Sequence, residues 1–412
     1  MKIGSPTPTR RQLISGAASL VAGSVAMPTI ICAQSRKSAK LSVGRQPYAA
    51  GNSPVTQRMI DNKMLEKAAA ELGYDVAIDW RDYPSALPMV EAFISGNLDI
   101  GMWGNTPIVR LLAQGQPINV LSVGEGHMRF VLLTRKGLPI RSIADLKGKT
   151  VGALVGGDPY NALSQMLLCE LGNADPRAFD IRIVNTPTQA QAASVPDGMD
   201  AAVAIYPAFL KAQAEIGVVG IMNSFGYSEA GYDGPAGKGE GHLLPGAKKS
   251  KFFPDGYYLH RSFWISSDRI VGTDAGLGEA FLVASQRAVA ELVKEKPGDI
   301  AKSVEKYWGL DPALGARVVD DEVLFQRGWT WPTEGDAAAI TQISQFMVEG
   351  KLIPKPLEWN KVKSAFAKAG PLLRKAYDAT GKVPAESGFT DQKAKDLRGL
   401  PAWQADQWKA PA

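Results

Sequence analysis

From Lys40 onward, short apolar runs alternate with longer stretches in which apolar residues recur every three or four positions. Lys40–Val43 alternates as a strand, and Val55, Met59, Met64, Leu65, Ala68 and Leu72 fall on one face of a helix predicted over 55–72, which Gly73 stops. Strands follow at Asp75–Trp80, Leu98–Met102, Asn119–Val123 and Arg129–Leu133, with a helix at Pro88–Ser95. A second block starts near Gly137. It predicts a short helix at Ser142–Leu146, strands at Thr150–Leu154, Asp180–Val184 and Ala201–Ile205, and helices at Asp158–Leu171 and Thr188–Ala193. Strands spaced by helices in this way predict parallel α/β sheets with right-handed crossovers. Residues 226–256, rich in Gly, Pro and Lys, break the rhythm and predict a long surface loop of the kind used as a lid or binding loop. Tyr257–Ser266 returns as a strand, and helices are predicted over Gly278–Glu295, Ala301–Trp308, Pro312–Val319, Gly335–Glu349 and Pro356–Tyr377. Gln326–Pro332 reads as a turn, and the polar chain beyond Tyr377 as loosely attached.

Four loop-to-helix junctions share one design: Ser53-Pro54, Thr106-Pro107, Asp158-Pro159 and Tyr206-Pro207. A Pro at the first helical position loses no hydrogen bond, because that N–H would be unpaired anyway. Three of the four follow an apolar strand closely, and ligands of open α/β sheets sit at such strand ends. The stretch 94–115, ISGNLDIGMWGNTPIVRLLAQG, shows the arrangement most fully: a strand ending in Gly101-Met102, then Trp103-Gly104-Asn105-Thr106, then a helix. Free N–H groups at that helix start would receive a carboxylate or sulfonate.

The first 33 residues stand apart. Thr9-Arg10-Arg11-Gln12-Leu13-Ile14 is a twin-arginine pattern, and Leu13–Ile31 runs nineteen residues without a charge. Together they predict a twin-arginine export signal, cut after Ala26 or, as preferred, after Ala33. Cleavage at Ala33 removes Lys2, Arg10 and Arg11 and no acid, so the formal charge falls from +5 by three to +2. The basic balance therefore implies no nucleic-acid partner. Of the 412 residues, 412 − 33 = 379 remain, with Cys169 as the one thiol, so the fold must rest on its core.

Catalytic chemistry finds little footing. His127, His242 and His260 are far apart, no CxxC, HExxH, GxSxG or Walker pattern occurs, and VGGDP is too short for a dinucleotide fingerprint. No metal, cofactor or enzymatic activity is expected.

Three stretches carry a family likeness: SGNLDIGMWGNTP, LTRKGLPIRSIADLKGKTVGAL and DAAVAIYPAF. With them, residues from about 40 to 270 resemble the periplasmic solute-binding proteins of ABC importers, in the branch for aliphatic sulfonates, taurine, nitrate and thiamine-precursor-like compounds. The resemblance implies an α/β, two-lobed (type II) binding fold, each lobe a mostly parallel sheet flanked by helices. Lobe one would be 40–128 plus 222–355 and lobe two 129–221, with 356–412 a helical C-terminal extension. It implies a periplasmic monomer that captures a small organic acid and hands it to an inner-membrane permease. A solute sensor of the same fold is the nearer alternative, and a pyrimidine-synthase-like enzyme a remote one.

By the same resemblance Trp103, Gly104, Asn105 and Thr106 contact ligand, Arg45, Gln46 and Tyr48 line the pocket after the first strand, and Tyr206 stands at the third junction. Arg129 lies at the first lobe crossing and Trp264 on the strand returning to lobe one. An Arg at position 45 could grip an acid with two prongs. Gly157 and Asp158 open the lobe-two helix and are expected to face Thr106 across the cleft. A carboxylate there opposes a pure anion and suits a donor, so the solute would be amphoteric or neutral, its acid on lobe one. The alternative is that Asp158 only caps its own helix.

Overall fold

Strand β1 (Lys37–Arg45) lies parallel to β2 (Tyr74–Asp82), with Leu41 opposite Ile78 and Val43 opposite Trp80. The computed structural model describes residues 36–48, 50–126, 128–226, 246–247, 250–253, 260–321, 331–380 and 399–411. The export signal, His127, most of 226–256 and most of the 326–332 turn lie outside the described residues.

From Lys37 onward the chain forms one compact unit built on two sheets. The first has the order β2-β1-β3-β11-β4, with β3 (Ile100–Gly104), β4 (Asn119–Glu125) and β11 (Ser262–Ser266) buried along their whole length. Strand β11 runs antiparallel to β3 and β4, so chain that left the first sheet returns to its middle. The second sheet has the order β10-β9-β5-β8-β6-β7. Here β6 (Thr150–Ala153) pairs parallel with β7 (Arg182–Asn185) and β8 (Ala201–Ile205). Strand β5 (Phe130–Thr134) pairs antiparallel with β8 and with β9 (Val219–Gly226), and β10 is the short Gly246–Ala247. Both sheets are thus mixed and flanked by helices. Strand β9 runs five residues past the lobe boundary expected at 221 and belongs to the second sheet. The two chain crossings meet where the Met128 N–H donates to the His260 carbonyl at 2.9 Å.

The helix expected over 55–72 is two, Ser53–Asp61 and Met64–Glu71, broken at Lys63 with φ +50°. Asp61, Asn62 and Lys63 are all exposed, so no packing holds that turn, and both pieces lie against the long helix Ala275–Leu292. The last helical stretch also divides, into Trp359–Ala367 and Gly370–Thr380. A Cβ on Gly370 would come within 2.8 Å of the Ala402 carbonyl oxygen, so the chain end packs against that break. The described part of the tail is therefore not loose. Trp408 is buried against Trp359 and Phe366, and its indole N–H donates to the Leu400 carbonyl at 3.0 Å. Arg261 and Asp336, both buried, pair at 2.5 Å and tie β11 to the helix Glu334–Glu349.

Candidate functional site

Strand β3 empties at Gly104 directly into the helix Asn105–Ala113, and the helix Asp158–Leu171 of the second sheet points its own start at the same place. Between them lies an inner chamber of about 40 Å³. That volume holds a water or two and no organic solute. Its walls come from both sheets: Gln46, Met102, Trp103, Gly104 and Glu125 on one side, Phe130, Leu154, Gly157, Asp158 and Gln189 on the other.

Asp158 reaches across this gap. Its carboxylate accepts the Thr106 backbone N–H at 2.9 Å, so a side chain of one half caps a helix of the other. Gly104 makes room for it, since a Cβ there would stand 2.1 Å from Asp158 Oδ2. Burial pushes the Asp158 carboxyl up from 3.8 to about 6, against the pull of the Thr106 amide. The two helices are joined a second time where Arg110 Nη1 donates to the Gly156 carbonyl at 3.2 Å. Gly156 has φ +84°, and a Cβ on it would collide with the Arg110 guanidinium. Both inter-sheet bonds thus require a glycine beside them.

The expected placement of Asp158 opposite Thr106 is the observed one, but the conclusion drawn from it changes. The helix end assigned to the acid of a solute holds the protein's own carboxylate. Gly104→Ala is expected to dislodge Asp158 and lower stability by about 1–3 kcal/mol in urea unfolding. The same substitution in an Asp158→Ala background should cost almost nothing. Equal cost in both backgrounds would rule out the Gly104–Asp158 contact as the cause.

A second acid faces the chamber. Glu125 ends β4, is buried, and accepts the Gly51 N–H in a short hydrogen bond. Burial raises its carboxyl from 4.5 to about 7; the Gly51 amide and Ser262 hydroxyl pull it down, and the charge of Asp158 adds to the rise. Sequence reasoning missed Glu125. The available signal was an acid closing the apolar run NVLSVG, just before the chain leaves the first sheet.

Trp103 forms part of the same wall with 0% exposure, its ring edge-on to Phe93 at 5.2 Å. A Cβ on Gly101 would overlap the benzene edge of the indole at 2.3 Å, so Gly101 fixes the ring's seat. The indole N–H finds no hydrogen-bond partner among the described residues. Gln46 is oriented by its own bond, Nε2 donating to the Met102 carbonyl at 2.8 Å.

Gln189 also borders an outer chamber of about 470 Å³, within the range of small-molecule sites. Its walls include Tyr48, Tyr307 and Trp308 from one half and Thr188, Ser194 and Lys211 from the other. Tyr48 is 51% exposed and stands edge-on to Tyr307 at 5.6 Å.

Other expected residues stand elsewhere. Arg45 lines neither chamber: its guanidinium is bound to Asp82 at 2.6 Å, to Gln57 at 3.1 Å and to the Tyr307 hydroxyl at 2.7 Å. Its grip in this structure is on the protein, behind the Tyr307 wall. Trp264 is buried in the first sheet with its ring 4.9 Å from that of Phe281 and lines neither chamber. Arg129 lies over the Tyr206 ring at 4.3 Å and its carbonyl accepts the Tyr206 N–H, both residues being buried outside the chamber walls. Asn105 and Thr106 are buried at the helix start, Thr106 acting through its backbone.

The NMT1/THI5-like family model matches residues 70–297. A protein of Escherichia coli (strain K12) described as aliphatic sulfonates-binding is 30% identical over 142 residues, which take in 34% of this chain and 42% of that one. The match thus spans less than half the length of that relative. Among solved structures, the alkanesulfonate-binding protein SsuA from Xanthomonas axonopodis pv. citri bound to MOPS superposes with a TM-score of 0.59 at 18% identity, over 80% of this chain and 98% of that one. The periplasmic aliphatic sulphonate binding protein SsuA from Escherichia coli gives 0.54 at 20% identity, over 78% and 91%. At these identities the likeness is one of fold.

Proposed function

The chain belongs to the NMT1/THI5-like family, and on that premise we propose that it is the extracytoplasmic solute-binding component of an ABC importer. In this reading the five-stranded sheet and its helices are lobe one and the six-stranded sheet lobe two. A small organic solute is held between them, and a membrane permease receives it. The observation that carries the reading is the position of the inner chamber, at strand ends of both sheets, beside the paired chain crossings at Met128 and His260. A site so placed is opened and closed by rotation of two rigid halves.

The work of such a protein is differential binding, with no bond made or broken. Closure excludes water, so each hydrogen bond to solute counts for more than on an open surface. The contacts Asp158–Thr106 and Arg110–Gly156 must part, or the chamber widen, before a solute enters. The twin-arginine segment supports export of the folded protein. The sulfonate-binding relatives support a small organic acid as solute. Among these, amphoteric taurine-like acids suit walls that carry Glu125 and Asp158 better than a pure anion does.

A thermal-shift screen of the mature chain over sulfonates, taurine, nitrate, aromatic acids and organic amines tests the proposal. A true solute at about 100 times its Kd contributes roughly 2.7 kcal/mol of stability. No shift with any small solute, together with turnover of one of them, would sink it.

A further inference from the structure

We propose that the inner chamber recognises a cationic nitrogen, a protonated amine or amidinium held by Glu125 and Asp158, and turns away solutes whose buried end is an anion. The inference rests on the solute-binding reading above and names the solute class of that same site.

Charge is the first ground. The chamber walls carry two buried carboxylates and no Lys, Arg or His. The arginines near this region are all engaged outside the chamber walls: Arg45 by Asp82 and Tyr307, Arg129 over Tyr206, and Arg110 on the Gly156 carbonyl. An anion placed here would be buried against like charge with nothing to offset its lost hydration. A cation would be offset twice.

The second ground is the helix start at Thr106, which the sequence assigns to the acid of a solute. Asp158 already accepts that N–H. A sulfonate or carboxylate must first displace it, whereas a cation need not. A carboxylate has about four lone-pair sites, and the Thr106 bond uses one of them. Asp158 can cap the helix and face a cation together.

Trp103 brings an unused donor to the same wall, which would take an acceptor atom of the solute and not its cationic nitrogen. The indole is wholly buried, its benzene edge is seated at Gly101, and its N–H has no partner among the described residues. Trp103 and Phe130 add apolar, aromatic surface to the same wall. The rest of the solute extends to the outer chamber, where Tyr48, Tyr307 and Trp308 give an aromatic wall and Lys211, 4.0 Å from Glu215, gives a cation that an acid can share. An amphoteric solute would therefore lie with its nitrogen inward at Asp158, where the sequence also places a donor, and its acid outward instead of at the Thr106 helix start.

The test is calorimetry on the mature chain with three probes built on one four-carbon chain: butylammonium, aminobutanesulfonate and butanesulfonate. The wild type should bind the two amines and not butanesulfonate. Glu125→Gln keeps an acceptor for the Gly51 amide and removes the charge; it should weaken both amines about tenfold to a hundredfold. Trp103→Phe should weaken aminobutanesulfonate by a smaller factor while leaving the preference for amines intact. Thermal unfolding of each variant shows that it is folded. Butanesulfonate binding as tightly as aminobutanesulfonate, with no change in Glu125→Gln, would overturn the cation assignment and leave the receptor reading standing. Binding of none of the three by the folded wild type would overturn the cation assignment too, and the receptor reading would then be decided by the wider solute screen above.

Discussion

Asp158→Ala should reverse the charge preference of the cleft, gaining butanesulfonate and losing butylammonium. The substitution removes a carboxylate and uncovers the Thr106 N–H at the positive end of a nine-residue helix. A buried N–H left without an acceptor costs about 1–3 kcal/mol, and an anion that takes its place recovers that energy together with the helix-end attraction. A rise of about a hundredfold in butanesulfonate affinity and a fall of about tenfold for butylammonium are expected. Asp158→Asn is the informative partner. Its amide oxygen still occupies the Thr106 N–H while the charge is gone, so amine binding should weaken without any gain of sulfonate. Calorimetry in chloride-free buffer reads both effects. A folded Asp158→Ala protein that still ignores sulfonates would show that this helix end is not an anion receptor.

The second large effect is on stability. Burial holds Asp158 at about 6, up from 3.8, and Glu125 at about 7, up from 4.5. A carboxyl whose folded value is raised binds its proton more tightly folded than unfolded. Its contribution to stability is complete below the unfolded value and is lost as pH rises through the folded one. The loss falls between about pH 4 and 7 and is on the order of 3 kcal/mol for each group. His260 works the other way. Burial keeps it neutral in the fold, with its value well below 6.5, so it costs stability as pH falls through the ordinary histidine range. The contrast with a Glu125→Gln/Asp158→Asn double variant separates the two. In urea unfolding without added solute, the double variant should exceed wild type by about 3 kcal/mol or more near pH 7.5, the gap closing toward pH 4.5. It should also lose stability on acidification, first through the histidine and at lower pH through carboxylates such as Asp175, which Arg177 holds down to about 2. Parallel profiles for the two proteins would mean that the carboxylates are not shifted by burial.

Several features of this arrangement were legible in the residues alone. The Thr-Pro and Asp-Pro junctions announced helix starts, and the alternation of apolar runs announced two α/β blocks, because both depend on chemistry within a few positions. What could not be read depends on partners far along the chain. Arg45 looked like a ligand clamp because Asp82 and Tyr307, which hold it, lie 37 and 262 residues away. Glu125 passed unnoticed because its partner amide, at Gly51, is 74 residues distant. Asp158 was expected opposite Thr106, yet a sequence cannot show whether two facing groups touch or leave a gap for something else. The break at Lys63, an exposed position with φ +50°, leaves no mark in the spacing of the apolar residues on either side of it.

The two glycine-flanked bonds between the halves, Asp158 to Thr106 and Arg110 to Gly156, also bear on the tempo of capture. If each is worth about 1 kcal/mol net, the parted form is a few per cent of the population, and a solute that enters only that form shows an affinity about thirtyfold weaker than its grip. Loading then follows solute concentration only while arrival is slower than parting. Beyond that concentration the rate levels off at the frequency with which the halves separate, a limit written into the protein and indifferent to how much solute surrounds it.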